Sequence, residues 1–263
     1  MKAMIFAAGF GTRLKPLTDT CPKALVKVGE KPMLQHTIEH LIKHGFNEII
    51  INIHYLGNQV IDFLQQHNNF GIRIEISDET DLILETGGGL LKAKHFFDDG
   101  KPFLVCNADV FTNINLTNLY DFHIENSPTA TLAVRNRKSS RVLLFDDKNR
   151  LCGWQNFKNE EVKFPSVFSD SITHYFDAEN EIFNDVQFNS IKQAKQLAFS
   201  GYQIISPEIF NHQTRSGIFS MIEWYIDICA QQTILAYEHD DDSWIDIGSP
   251  EQLQKANTAY LSL

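Results

Sequence analysis

Residues 7–23 read AAGFGTRLKPLTDTCPK, and several of them can act together on a polyanion. Gly9 and Gly11 directly follow an apolar run, so backbone N–H groups there can approach a phosphate or a base edge without interference from a Cβ. Arg13 offers a planar, permanently charged fork for phosphate oxygens. Pro16 and Pro22 stiffen the loop, and Lys23 brings a second positive charge from its far end. The charge distribution points the same way. Residues 1–31 hold six lysines and arginines against Asp19 and Glu30, whereas the whole chain carries a net charge of −10. A short basic segment in an acidic protein suits a local site for a small polyanion. Two familiar phosphate loops are excluded: G-x-x-x-x-G-K-(S/T) is absent, and the third glycine of G-x-G-x-x-G is Leu14 here. Taken alone, a Gly-x-Gly after a strand is as often a plain tight turn.

The elements that must position this loop follow from hydrophobic periodicity. Met4–Ala8 is a continuous apolar run ending in Gly9, which predicts a buried parallel strand. Leu34, Ile38, Leu41 and Ile42 recur at helical spacing, and Gly45 closes that helix. Glu48–Ile53 is β-branched and strand-like, Val60, Ile61, Phe63 and Leu64 mark a second helix, and Arg73–Ser77 alternates as a strand. Gly87–Phe97 opens on three glycines and turns helical, and Pro102–Cys106 is another buried strand ending at Asn107-Ala108-Asp109. This alternation predicts right-handed βαβ crossovers and an α/β fold with a doubly wound, mostly parallel sheet. Ligands of such sheets bind beyond the carboxyl ends of the strands, so Gly9, Gly87–Gly89 and Asp109 are expected along one rim. The second half is less regular and richer in strands: Ala130–Arg135, Val142–Phe145, Leu151–Gln155 and Leu197–Ile205, with helices over Ser220–Cys229 and Pro250–Leu261. Residues 156–196 are polar and weakly periodic and read as an insertion or lid.

Composition bounds the function. At 263 residues, 43% hydrophobic and 21% charged, the chain buries a full core without staples. Cys21, Cys106, Cys152 and Cys229 form no C-x-x-C, which fits a reduced, cytoplasmic setting. No stretch approaches the ~20 apolar residues of a membrane helix. The negative charge argues against a nucleic-acid surface.

The stretch at 7–23 resembles the signature A-A-G-x-G-T-R-(L/M)-x-P-L-T…P-K of the sugar-1-phosphate nucleotidyltransferases. Glu85-Thr86-Gly87-Gly88-Gly89, Asn107-Ala108-Asp109 and Trp244-Ile245-Asp246-Ile247-Gly248 match further motifs of that family in order. The short chain and the E-T-G-G-G form are most similar to N-acetylmuramate-1-phosphate uridylyltransferases, with mannose-1-phosphate guanylyltransferase-like proteins next. The resemblance implies a Rossmann-like, glycosyltransferase-A-like fold. It implies one nucleotidyltransferase domain over 1–263, with a nucleotide-binding half at 1–128 and an irregular, β-rich sugar-binding half at 129–263. The Glu-Lys-Pro motif of many members, whose lysine grips the sugar phosphate, is absent.

The implied partners are a nucleoside triphosphate, UTP foremost, and a sugar 1-phosphate, with Mg²⁺ as cofactor. The nucleophile is then an anionic phosphate oxygen, which needs positioning and charge neutralisation but no general base. By resemblance, Arg13 holds the departing pyrophosphate and Lys23 the α-phosphate together with the incoming sugar phosphate. Asp109 and Asp246 hold the metal, and Ala8, Gly9, Gly11, Thr12 and Gly88 meet the nucleotide. Asn107 and Glu85 meet the sugar, with the ribose as an alternative for Asn107. Each has a plainer reading: Asp109 capping a turn, Asp246 an ordinary loop carboxylate, Gly87–Gly89 a flexible helix entry.

His36, His40 and His44, at a spacing of four, read as the polar face of a helix in preference to a metal site. Glu238–Asp242 reads as a solvated loop, and Lys15, Lys27 and Lys31 as solvated charges. A hexose-1-phosphate nucleotidyltransferase of other specificity is the nearest alternative function. A nucleotide-sugar-sensing subunit that binds without turnover is the alternative of another class. A homo-oligomer is compatible with all three.

Overall fold

The computed structural model describes residues 1–165 and 194–261. In chain order the elements are β1 (Lys2–Phe6), β2 (Lys27–Val28), β3 (Lys31–Pro32), α1 (Met33–Lys43), β4 (Glu48–Ile53), α2 (Gly57–Gln66), β5 (Arg73–Asp78), α3 (Glu85–Lys92), β6 (Phe103–Asn107), β7 (Val110–Thr112) and α4 (Leu116–Asn126). There follow β8 (Ala130–Arg135), β9 (Arg141–Phe145), β10 (Leu151–Asn156), β11 (Glu161–Lys163), β12 (Lys195–Ile205), α5 (Met221–Ile228), β13 (Ile234–Glu238), β14 (Trp244–Asp246) and α6 (Pro250–Tyr260).

Strands β6, β1, β4 and β5 lie side by side and parallel, the arrangement expected from strands separated by crossover helices. Their alternate residues feed two cores. Met4, Ile50, Phe103 and Val105 face one layer with Leu90 of α3 and Trp224 of α5. Ala3, Ile5, Ile49, Ile51, Leu104 and Cys106 face the other, with Leu34 and Ile38 of α1, Val60 of α2 and Leu116 of α4. A period of two in the strands, buried on both faces, is what produced near-continuous apolar runs.

The second half does not continue the parallel pattern. β12 runs antiparallel beside β6 and pairs also with β8 and β9, so it stitches the parallel strands to the β-rich half. One sheet therefore crosses the 128/129 boundary, and the doubly wound core is extended into a mixed ten-stranded sheet among the described residues. The register of β12 against β8 shifts between Phe199 and Gln203, a bulge in which Gly201 takes φ +83°. Such bulges re-aim the chain next to binding sites, and this one faces Asn107: a Cβ on Gly201 would come within 3.0 Å of its Nδ2.

β1 begins and ends two residues earlier than Met4–Ala8. Ala7 and Ala8 have already left the sheet, because the chain must turn out over the strand ends to form the loop. α3 begins at Glu85, so Gly87–Gly89 lie inside the helix instead of opening it. α4, β13 and the short β7·β14 ribbon are additions to the sequence reading. Of the polar segment 156–196, residues 166–193 lie outside the described residues; its flanks belong to β10, β11 and β12.

Candidate active site

The loop after β1 is held by groups distant in sequence. Asn52, at the end of β4, accepts the Ala7 amide on Oδ1 at 2.7 Å and donates from Nδ2 to Glu79 Oε1 at 2.9 Å. Glu79 is 1% exposed, and its other oxygen accepts the Leu84 amide at 3.1 Å. Neither residue was singled out in the sequence, since a Glu in the polar run Ser77-Asp78-Glu79-Thr80 reads as solvated. Further along the loop, Gly11 takes φ +65°, and its carbonyl accepts the Thr18 hydroxyl at 2.9 Å. Tyr55 and Gln59 donate to the carbonyls of Asp19 and Thr20. Leu14, Val26, Val28 and Met33 are buried with Ile247 and Ala256, which clamps the loop to β14 and α6. Gly9, Phe10, Thr12 and Arg13 stay exposed on the loop so clamped.

Two carboxylates are brought together by the β7·β14 ribbon. Asp246 pairs with Val110, one residue beyond Asp109, and the Ile247 amide donates to the Asp109 carbonyl at 3.0 Å. The Lys23 ammonium donates to Asp109 Oδ2 and stands 4.0 Å from Asp246 Oδ1. Arg13 lies over Gly248, where a Cβ would come within 2.5 Å of its Nη2 and 2.8 Å of Asp246 Oδ1. Three separate motifs, at 7–23, 107–109 and 244–248, thus meet in one place.

A cavity of about 290 Å³ opens beside them. Its walls include Ala8, Gly9, Lys23, Asn52, Glu79, Glu85, Asn107 and Asp109. Glu85 sits there with a left-handed backbone, φ +58°, a conformation that a non-glycine residue holds only when its surroundings impose it. The rim expected along Gly9 and Asp109 is present. Gly88 is the exception. It is buried in α3, and a Cβ on it would meet the Gly217 carbonyl at 2.2 Å. The neighbouring positions behave alike: Gly87 is closed by Phe219 and Gly89 by Glu79. The glycine run therefore lets α3 pack against the 217–219 segment and Glu79, and it is Glu85 and Thr86 that reach the cavity wall.

Among the described residues, neither the cysteine nor the tyrosine beside the site is an activated nucleophile. Burial pushes the Cys106 thiol well up, with the Asp109 charge adding to the effect, and burial raises the Tyr202 phenol likewise. The chemistry available is binding and neutralisation of anions by Arg13 and Lys23, together with cation binding by two carboxylates. Two carboxylates converging on one ammonium are an oxygen-only donor set that suits a hard divalent cation. No cluster of three or more potential metal ligands occurs among the described residues, so phosphate oxygens or water would have to complete such a coordination.

Other features fall outside the site. His36, His40 and His44 bond the Val28 carbonyl, the Ile114 carbonyl and the Thr117 hydroxyl, tying α1 to its neighbours. The 238–242 segment is not simply solvated: His239 is buried, and the carbonyls of His239, Asp240 and Asp242 all accept from Arg135. No helix among the described residues is long and apolar enough to cross a membrane.

Comparison with known proteins bears on the family and the fold. A family described as nucleotidyl transferase matches residues 2–142. An N-acetylmuramate alpha-1-phosphate uridylyltransferase of Neisseria meningitidis serogroup B is 46% identical over 117 residues, covering 44% of this chain and 50% of that one. A mannose-1-phosphate guanyltransferase of Yarrowia lipolytica is 26% identical over 264 residues, covering 100% of this chain and 64% of that one. The chain thus spans between half and two thirds of the length of these curated relatives. Among solved structures, a UDP-glucose pyrophosphorylase from Acinetobacter baumanii superposes with a TM-score of 0.73 at 16% identity, over 98% of this chain and 92% of that one. That likeness concerns the fold.

Proposed function

The chain belongs to the nucleotidyl transferase family, and on that footing we propose that it transfers a nucleotidyl group from a nucleoside triphosphate to a sugar 1-phosphate. The observation that carries the proposal is the meeting of Lys23 with Asp109 and Asp246 beside the cavity walled by Ala8 and Gly9. An anionic oxygen of the sugar phosphate attacks the α-phosphorus. The new P–O bond forms as the bond to the β-phosphate oxygen breaks, and pyrophosphate leaves without a proton transfer. Such a step gains most from preorganised charge, so Arg13 takes the β- and γ-phosphates and Lys23 the α-phosphate. The backbone around Ala8, Gly9, Gly11 and Thr12 receives the nucleotide, and Asn107 and Glu85 turn toward the sugar. Residues 1–128 are the nucleotide-binding half and 129–263 the sugar-binding half, with Asn107 and Glu85 reaching the sugar from the first.

Asp109 and Asp246 are the residues that would hold Mg²⁺, which when bound neutralises phosphate oxygens that otherwise repel the incoming anion. Lys23 would then turn from the carboxylates toward the substrate phosphates.

For the substrates we propose UTP and N-acetylmuramate 1-phosphate, on the strength of the 46% identity to the Neisseria meningitidis enzyme over 117 residues. A mannose-1-phosphate guanylyltransferase is the second reading, favoured by the match to the Yarrowia lipolytica protein along the whole of this chain. The test is a matrix of nucleoside triphosphates against sugar 1-phosphates with Mg²⁺, scored by pyrophosphate release. We expect the highest kcat/KM for UTP with N-acetylmuramate 1-phosphate. A preference for GTP with mannose 1-phosphate would replace the first reading by the second, and no release from any pair would remove both.

A further inference from the structure

Just beyond β8 stands a guanidinium that no part of the fold uses up. Arg137 donates from Nη2 to the Phe199 carbonyl at 3.1 Å, at the start of the β12 bulge. Its Nε is buried and has no hydrogen-bond partner, and no carboxylate lies within ion-pair distance of it among the described residues. Arg135, two residues earlier, makes the contrast plain: three backbone carbonyls saturate it. Leaving a half-buried cation with an unmet donor is costly unless something anionic completes it.

The position of Arg137 says what that something is. Its guanidinium lies over the ring of Trp244, 4.2 Å from the centroid, and the Trp244 indole N–H is itself anchored on the Ser200 carbonyl at 2.8 Å. Trp244 and Asp246 are alternate residues of β14 and so project from the same face of the ribbon. Arg137 is therefore carried on the face that holds Asp246, whose Oδ1 is 4.0 Å from Lys23 Nζ. Burial pushes the guanidinium below its ordinary pKa, with the nearby Asp246 charge opposing that shift. Arg137 does not line the cavity flanked by Ala8, Gly9 and Asn52; it stands on the Asp246 side of the cluster formed by Lys23 and the two carboxylates.

We propose that Arg137, stacked on Trp244, is the binding residue for the phosphate of the second substrate, the sugar 1-phosphate. A planar fork on an aromatic ring presents its remaining N–H groups edge-on, which matches the oxygens of a phosphate monoester. The indole fixes the plane and the Phe199 carbonyl fixes the rotation of the fork. This assignment rests on the transferase reading for the identity of the ester, but not for the existence of the anion site.

Two measurements separate those claims. In steady-state pyrophosphate release, Arg137→Met is expected to raise KM for the sugar 1-phosphate about tenfold or more, while KM for the nucleoside triphosphate stays within about twofold. Arg137→Lys should recover part of the loss. Equal effects on both substrates, or an unchanged sugar-phosphate KM, would overturn the proposal. The second measurement needs no turnover. Tryptophan fluorescence is titrated with α-D-glucose 1-phosphate, N-acetylglucosamine 1-phosphate and N-acetylmuramate 1-phosphate, with free glucose as the uncharged control. A saturable change is expected with at least one ester, none with glucose, and none in Arg137→Met or Trp244→Phe. A wild-type protein that responds to no ester, or a response that survives loss of Arg137, would equally overturn it. An Arg137-dependent response without pyrophosphate release from any substrate pair would support the anion site and remove the transferase reading.

Discussion

Asn52 Oδ1 accepts the Ala7 amide at 2.7 Å, and so the end of β4 fixes the point where the phosphate loop leaves β1. Asn52 Nδ2 in turn donates to buried Glu79, which leaves the Asn52 side chain only one orientation. Asn52→Leu should therefore remove the loop anchor and strand a buried carboxylate, destabilising the protein by about 2–4 kcal/mol in urea unfolding. Asn52→Asp keeps the shape but sets a second carboxylate against Glu79. It should be less stable than the parent at pH 7 and recover as the pH falls and the pair takes up a proton. A parent-like stability for both variants at pH 7 would show that the anchor carries no weight.

Asp109 and Asp246 approach one another only through the β7·β14 ribbon, and neither is part of the hydrophobic core. Asp109→Asn and Asp246→Asn should each lower kcat by about a hundredfold or more while leaving the unfolding midpoint nearly unchanged. Excess EDTA should abolish turnover of the unmodified protein and added Mg²⁺ should restore it. Full activity in EDTA would remove the metal from the mechanism.

Glycine substitutions distinguish site from scaffold. Gly248→Ala directs a methyl at the ends of two side chains, Arg13 and Asp246, both of which can shift. It should cost less than about 1 kcal/mol of stability and yet raise KM for the nucleoside triphosphate severalfold. Gly88→Ala directs the methyl at a backbone carbonyl, Gly217 O, which cannot. There the loss should appear as stability, about 2–3 kcal/mol, because α3 must separate from the 217–219 segment. Thermal unfolding and substrate titrations on the two variants report the two outcomes.

His123 is buried between Thr131 Oγ1 and Ser206 Oγ, each at 2.9 Å, and burial lowers its pKa from 6.5 to about 4. Between those pH values the unfolded chain binds a proton that the folded chain refuses. Stability should consequently fall as the pH drops from about 6.5 to about 4, by on the order of 3 kcal/mol from this residue, and level off below. His123→Gln should be less stable at pH 7 but show a shallower decline over that window, by close to one proton in slope. Urea unfolding at pH 7, 6, 5 and 4.5 measures this, and an unchanged slope would acquit His123.

Much of the molecule was legible in the sequence. Glu48–Ile53 and Ala130–Arg135 form strands with the expected bounds, and helices stand where the apolar stripes of 34–42 and 60–64 predicted them. Burial on one side of a helix, or on both sides of a strand, imposes a period of three to four or of two on neighbouring residues, so the chain carries that information locally. The motifs holding Arg13, Lys23, Asp109 and Asp246 were legible for a similar reason: residue types that bind phosphate or cations recur at short spacing around turns. What joins these motifs was not. Asn52 and Ala7 are 45 residues apart, Trp244 and Arg137 more than a hundred, and the antiparallel seat of β12 between β6 and β8 depends on pairings across the whole chain. Gly88, expected by resemblance to meet the nucleotide, lies inside α3 as a contact surface for Gly217, which no local pattern announces. Sequence therefore determined which chemical groups the protein owns and the segments that carry them. Only the tertiary structure decided which groups meet, because that choice lies in long-range packing, where a polar residue becomes an anchor or a site by virtue of partners the local chain does not contain.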